Sequence, residues 1–202
     1  MPSGRTHDSI TLWCLPPLAF LGWWLTQDGL LVLILCGCFL FSGLMFGPDL
    51  DIYSQQYQRW GCLKWVWLPY RRSMSHRSVL SHGVVIGTVL RVAYVTTLVL
   101  LTAITMYFLW SIWQQLCGNV GYWQSLFQPW LNGQMVGLSR SLQRDFHLWI
   151  AGFVGLELGS ISHSMSDTVW SAVKRHRREQ LQGGRSPAGR KSPAKKRQKR
   201  RR

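Results

Sequence analysis

The stretch from Met45 to Gly83 decides how the rest of the chain is arranged. It begins with Gly47-Pro48-Asp49-Leu50-Asp51 and ends with His76-Arg77-Ser78-Val79-Leu80-Ser81-His82-Gly83. Two carboxylates and two imidazoles thus lie in one polar loop, and long apolar runs flank the loop on both sides. Hard and borderline metals take this mixture of oxygen and nitrogen ligands. We expect the chain to fold so that further ligands reach this loop.

Outside this loop the chain is apolar and predicts an all-α polytopic membrane protein with about four transmembrane helices. Of the 202 residues 47% are hydrophobic and only 15% are charged, against about 25% charged in soluble domains. The predicted spans are Ile10 to Thr26, Leu30 to Phe46, Val84 to Trp110 and, most weakly, Phe146 to Ile161. A soluble helical core is the alternative, but it would need amphipathic covering helices.

Two spans contain residues that modify a helix. Pro16-Pro17 in the first run predicts a kink or an unwound first turn. Gly152, Gly155 and Gly159 interrupt the fourth run and include a GxxxG spacing, which predicts close packing against another helix. The segment from Ser111 to Asp145 reads as interfacial helix and loop.

Most of the net charge of +15 lies at the C-terminal end. Residues 173–202 contain 14 Lys and Arg and one acid, Glu179. We predict a membrane-embedded helical metal-binding domain over residues 1–172 and a basic disordered tail over residues 173–202. The tail is expected to bind anionic lipid headgroups, or nucleic acid, by charge.

The distribution of basic residues predicts the orientation in the membrane. Four spans put the N-terminus, the central loop and the C-terminal tail on one side. That side carries most of the Lys and Arg, so the positive-inside rule makes both termini cytoplasmic. The predicted location is a bacterial inner or thylakoid-type membrane.

Metal-capable side chains collect on this same side, at span ends or in the loop. His163 and Asp167 are four residues apart, so they share a helix face. The sequence therefore predicts a divalent metal site, with zinc favoured, manganese or iron as alternatives, and one or two ions. Each group of candidate ligands also has an interpretation without a metal. Asp49 and Asp51 could be solvated carboxylates at a helix end, His76 and His82 could be interfacial histidines, and His163 with Asp167 could be a hydrogen-bonded pair. The candidate ligands are His7, Asp8, Asp49, Asp51, His76, His82, His163 and Asp167.

Two charged residues fall inside predicted spans. Arg91 lies in the third span and Glu157 in the fourth, at similar depths from the cytoplasmic end. An isolated charge inside a membrane is costly, so we predict that Arg91 and Glu157 pair. A structural salt bridge is favoured over a catalytic acid.

The quoted motifs, with Ser3-Gly4-Arg5-Thr6-His7-Asp8 at the N-terminus, resemble a family of uncharacterised cyanobacterial metal-binding membrane proteins. More distantly, the chain resembles the YdjM-like membrane-bound metal-dependent hydrolases. Their pattern is PDxD, then HRGxTHS, then a late HxxxD. Asp49 and Asp51 match the first part, His76 the second, and His163 with Asp167 the third. His82 follows His76 by six residues, where that pattern has five.

The distant resemblance implies a metal-dependent hydrolase at the cytoplasmic membrane face, acting on a phosphoester or a lipid ester. The alternative is a non-catalytic metal-binding scaffold whose tail recruits lipid or nucleic acid. An open coordination position would favour the enzyme, and a saturated shell would favour the scaffold.

Overall fold

The computed structural model describes residues 4–74, 78 and 83–183. These residues form seven α-helices and no β-strand, so the all-α prediction is confirmed for this part of the chain. In chain order the helices are α1 (Gly4–Thr26), α2 (Gly29–Leu44), α3 (Gln55–Gln58), α4 (Leu68–Ser73), α5 (Ile86–Leu116), α6 (Gln124–Arg144) and α7 (Phe146–Gly183).

Helices α1 and α2 form an antiparallel hairpin. Gln27 takes a left-handed backbone conformation, with φ of 51°. Asp28 then caps α2, because its Oδ1 accepts hydrogen bonds from the amides of Leu30 and Leu31 at 2.9 and 3.2 Å. Helix α1 begins at Gly4 and continues through Pro16-Pro17, so these prolines mark no unwound turn. The hairpin brings the start of α1 beside the end of α2.

Helix α7 packs against α2 through a face of small residues, as the glycine spacing predicted. A Cβ on Gly155 would collide with the carbonyl oxygen of Leu35. A Cβ on Gly159 would lie 2.6 Å from the carbonyl oxygen of Phe39. Only glycine permits this approach. The contact ends one helical turn before His163, so it fixes the height of that residue beside α2.

The loop between α2 and α5 folds into a small cap. Two 3-10 segments, Pro48–Asp51 and Gly61–Trp67, alternate with α3 and α4. Ser54 caps α3 by accepting from the amide of Tyr57 at 3.1 Å. A buried cluster, in which Leu50 and Trp67 are fully enclosed, anchors the cap to α2. Its members are Phe46, Leu50, Tyr57, Trp67 and Tyr70.

Three helical segments among the described residues are long and apolar enough to cross a membrane, judged by length and composition only: Thr6–Thr26, Gly29–Asp51 and Ile86–Leu116. Large apolar side chains point outward from them, such as Trp13 at 81% and Leu33 at 68% exposure. The predicted fourth span is not among these segments. It forms the first part of α7, where Glu157 and Ser160 add polar groups.

The C-terminal third differs from the predicted arrangement. Helix α5 continues to Leu116, and α6 follows with no buried residue. Helix α7 runs on to Gly183, so the helix passes the predicted tail boundary after residue 172. Residues 184–202 lie outside the described part of the chain, and their disorder stays a prediction.

Candidate metal centre

Four predicted ligands from three separate pieces of chain meet at one end of the bundle. His7 comes from the start of α1, Asp49 from the 3-10 segment after α2, and His163 and Asp167 from α7. The imidazoles of His7 and His163 stack with ring centroids 4.0 Å apart and an interplanar angle of 20°. Both histidines are buried, at 7% and 4% exposure. One ligand atom from each of His7, His163 and Asp167 fits in a group whose members all lie within 4.8 Å of one another.

The separations between ligand atoms fit a single small cation. His7 Nε2 lies 3.4 Å from Asp167 Oδ1, and His163 Nε2 lies 3.2 Å from Asp49 Oδ2. Metal–ligand bonds of about 2.0–2.1 Å in a tetrahedral site put neighbouring ligand atoms about 3.3 Å apart. Among the described residues, neither His163 Nε2 nor Asp167 Oδ1 has a hydrogen-bond partner. Each His–Asp pair thus has the spacing of two neighbouring metal ligands, which is also the spacing of an ion pair, and the three-residue group of His7, His163 and Asp167 could hold an ion.

Ser166 fixes the imidazole of His7 in the form that a metal needs. Its hydroxyl donates to the His163 carbonyl at 2.7 Å, so it accepts from His7 Nδ1, 2.6 Å away. The lone pair of His7 Nε2 then faces the carboxylate of Asp167. Two electron-rich atoms at 3.4 Å repel unless a proton or a metal cation lies between them. This is the outer hydrogen bond that orients metal-binding histidines.

Gln56 holds the other imidazole. Its Nε2 donates to the Gly43 carbonyl at 2.9 Å and lies 3.3 Å from His163 Nδ1. Gln56 is buried, and it links the cap to both α2 and α7. The amide nitrogen is a donor, so His163 Nδ1 accepts here and Nε2 carries the ring proton toward Asp49 Oδ2. A metal at Nε2 would require the side-chain amide of Gln56 to be reversed, so that Oε1 accepts from Nδ1.

Asp8, which was predicted as a lesser ligand or as an orienting group for His7, is engaged elsewhere. Its two carboxylate oxygens accept from Nη1 and Nη2 of Arg59, with the Nη1 bond at 2.9 Å. Arg59 Nη1 also donates to the Leu44 carbonyl at 2.8 Å. The hydrogen bond with Asp8 raises the pKa of Arg59 above its ordinary value. Asp8 therefore ties α1 to the cap instead of joining the group of ligand atoms.

A cavity of about 220 Å³ opens beside the ligands. Helix α1, the end of α2, the cap and α7 all contribute to its wall. The candidate metal ligands His7, Asp49 and His163 form one wall of the cavity. The exposed side chains of Tyr53, Gln55 and Arg59 line its opening toward solvent. The remaining wall residues are Gly4, Asp8, Gly43, Ile52, Ser54 and Gln56. A small ligand therefore has a route to the centre.

The structure leaves Asp51 apart from this group. Asp51 is buried, and its charge acts on Tyr70 and Arg91. Burial raises the pKa of the Tyr70 phenol; the Arg91 guanidinium opposes this shift and the Asp51 carboxylate adds to it. His76 and His82 lie outside the described residues, so their part in the site stays a prediction.

Arg91 and Glu157 are both buried beneath the centre. Arg91 donates to Thr88 at 3.1 Å and to Ser160 at 2.9 Å, while Glu157 Oε1 accepts from the amide of Val85 at 2.8 Å. Val85 has a φ of 68°, which a β-branched residue rarely adopts, so the carboxylate holds a strained start of α5. The charges attract each other, and both side chains join α5 to α7. Their direct pairing stays a prediction.

Comparison with known proteins agrees with the geometry. The model of a family described as "Uncharacterized metal-binding protein (DUF2227)" matches residues 2–177. The chain belongs to this family. The match spans all the ligands gathered here and extends over the first five residues of the predicted tail. No curated protein and no solved structure matches the chain. The resemblance of this family member to YdjM-like hydrolases stays a prediction.

The supporting residues carried little sequence signal. Gln56 and Arg59 lie in a polar, aromatic loop where neither residue belongs to a motif. Ser166 is the exception, since it precedes Asp167 and lies one turn after His163. A hydroxyl at that spacing could have been read as an orienting group for a nearby histidine.

Proposed function

We propose that this protein is a membrane-embedded metalloprotein that binds one divalent cation and hydrolyses an ester at the cytoplasmic membrane face. Zinc is the favoured cation. His7, His163 and Asp167 would hold the ion. The observation that carries the proposal is the grouping of the ligand atoms: one each from His7, His163 and Asp167 lie within 4.8 Å of one another, and His7 Nε2 lies 3.4 Å from Asp167 Oδ1, close to the edge of a tetrahedral site.

The cavity favours an enzyme over a closed site. Three protein ligands leave a coordination position, as in catalytic zinc sites. A bound divalent cation would act as a Lewis acid and make a coordinated water more acidic. Asp49 borders the cavity next to His163, so it is placed to accept a proton from the attacking water. Ser166 would accept from His7 Nδ1, and Gln56 with its amide reversed would accept from His163 Nδ1, so that both Nε2 atoms could bind the ion. The substrate would be a phosphoester or a lipid ester.

The second candidate is a non-catalytic metal-binding scaffold, and one distance favours it. Asp49 Oδ2 is 3.2 Å from His163 Nε2, which also suits a fourth ligand that closes the coordination shell. The two candidates therefore assign different roles to the same carboxylate.

Metal analysis of the detergent-purified protein and of three variants separates these cases. His163→Ala should lose stoichiometric metal, whereas His147→Ala, in an exposed histidine at the far end of α7, should retain it. Retention of metal in His163→Ala would exclude the site. Asp49→Ala should keep the metal and lose hydrolysis of generic phosphoester or ester substrates if the protein is an enzyme. Loss of metal in Asp49→Ala would identify the scaffold.

For the membrane arrangement, we propose that α1, α2 and α5 cross the bilayer and that the first part of α7 returns through it. Packing on α2 shields the glycine face of α7 from lipid. The metal end would face the cytoplasm of a bacterial cell or the equivalent side of a thylakoid-type membrane, because the basic residues lie there.

We further propose that the basic end binds anionic lipid headgroups in preference to nucleic acid. The last turns of α7 expose Lys174, Arg175, Arg177 and Arg178, and residues 184–202 add further charge. When the protein is inserted in a bilayer, its basic C-terminal segment lies near the lipid headgroups. Competition between anionic vesicles and RNA for the purified protein tests the choice, since preferential capture by RNA would reverse it.

A further inference from the structure

We propose that Arg59 forms the anion-binding half of the cavity, so that the ligand of the centre is a phosphate group. The inference rests on the proposed metal site and names its substrate class. Arg59 lines the same cavity as His7, Asp49 and His163. A phosphate seated there would meet the cation with some oxygens and the guanidinium with others.

Arg59 is held in place and still has donors to spare. Three of its N–H groups are used by the Asp8 carboxylate and the Leu44 carbonyl. A guanidinium has five donors in a planar fork, so two remain for a ligand. The fixed fork matches the oxygens of a phosphate, and the pre-positioned charge needs little rearrangement when the anion arrives.

The charge and the volume of the cavity further restrict the class of ligand. The Asp8–Arg59 pair is neutral overall, and a divalent cation would neutralise Asp49 and Asp167, so the cavity presents no net repulsion to an anion. A carboxylic ester has no peripheral negative oxygens for the guanidinium, whereas a phosphate has them. At about 220 Å³ the cavity is smaller than most ligand sites of 300–1,000 Å³. It holds a phosphate headgroup and leaves any lipid chain outside.

The test is a ³¹P NMR titration of the metal-loaded full chain in detergent with inorganic phosphate. Arg59→Met and Arg59→Lys should weaken phosphate binding about tenfold or more, with metal content unchanged. Arg140→Met, in an exposed arginine of α6, should leave binding unaltered. Wild-type affinity in Arg59→Met, or no phosphate binding by metal-loaded wild type, would overturn the proposal. Absence of metal from the wild type would instead refute the proposed function.

A second variant separates anion binding from the structural role of Arg59. Asp8→Asn removes the negative charge that shares the guanidinium, while the Leu44 carbonyl still holds Nη1 in place. Phosphate should therefore bind more tightly, and the gain should vanish in Asp8→Asn with Arg59→Met. Unchanged or weaker binding in Asp8→Asn would contradict the proposal. Nanodiscs containing phosphatidate then identify the source: displacement of bound phosphate supports a lipid headgroup, and no displacement supports a soluble phosphate.

Discussion

Ser166 provides the sharpest test at the scale of single residues. Its hydroxyl connects His7 Nδ1 to the His163 carbonyl. Ser166→Ala removes the acceptor that keeps the Nε2 lone pair directed at the centre, so metal affinity should fall about ten- to a hundredfold. Calorimetric titration of metal into the apoprotein measures this. Ser164→Ala, two residues earlier on α7, is the matched control and should bind metal normally. Equal affinities for both variants would show that the hydroxyl does not orient the ligand.

Arg91 and Glu157 test the predicted charge pair. Each side chain is buried, and loss of one leaves the other charge in an apolar environment. We therefore expect Arg91→Leu and Glu157→Leu each to destabilise the protein by about 3–5 kcal/mol. The double variant should cost less than the sum of the two. Thermal unfolding in detergent measures the three changes. Normal folding of Arg91→Leu beside complete loss in Glu157→Leu would mean that the two residues act separately.

The contact between α2 and α7 governs the site at the scale of helices. A methyl group on Gly155 or Gly159 would meet the backbone of α2, whereas one on Gly152 would lie 3.6 Å from Cys38 Sγ, an ordinary contact. Gly155→Ala and Gly159→Ala should each cost about 1–3 kcal/mol and weaken metal binding, because α7 carries His163. Gly152→Ala should be nearly neutral. Melting temperatures and metal content of the three variants give the comparison, and equal behaviour would contradict the close packing.

These helices also show what sequence could and could not predict. The apolar runs predicted α1, α2 and α5 closely, because a bilayer-length helix leaves a continuous signal. The four-residue spacing predicted a shared face for His163 and Asp167, since helix geometry alone sets it. The engagement of Asp8 by Arg59 was beyond prediction, because it depends on how an aromatic cluster folds the cap. The extension of α7 to Gly183 was missed because a run of charges resembles an unfolded tail.

Metal should stabilise the whole molecule, because the proposed ligands come from both ends of the described chain, His7 from α1 and His163 and Asp167 from α7. A ligand that binds only the folded state raises its stability by mass action. Chelation should therefore lower the melting temperature, and zinc should restore it at neutral pH. The restoration should fade on acidification, since protons compete for the imidazoles and carboxylates. A melting temperature that does not respond to chelator or zinc would show that the centre does not link these elements.

The native cysteines test the membrane arrangement of the entire chain. Cys62 is exposed in the cap on the metal side, and Cys117 is exposed just after α5. If α5 crosses the bilayer, these two thiols lie on opposite faces. In variants that retain only one of them, with the other cysteines replaced by serine, an impermeant maleimide added to oriented membrane vesicles should label each thiol from one side only. Cys62 should react from the cytoplasmic side and Cys117 from the opposite side. Labelling of both thiols from the same side would mean that α5 does not span, and the metal centre could then not be placed at a cytoplasmic headgroup layer.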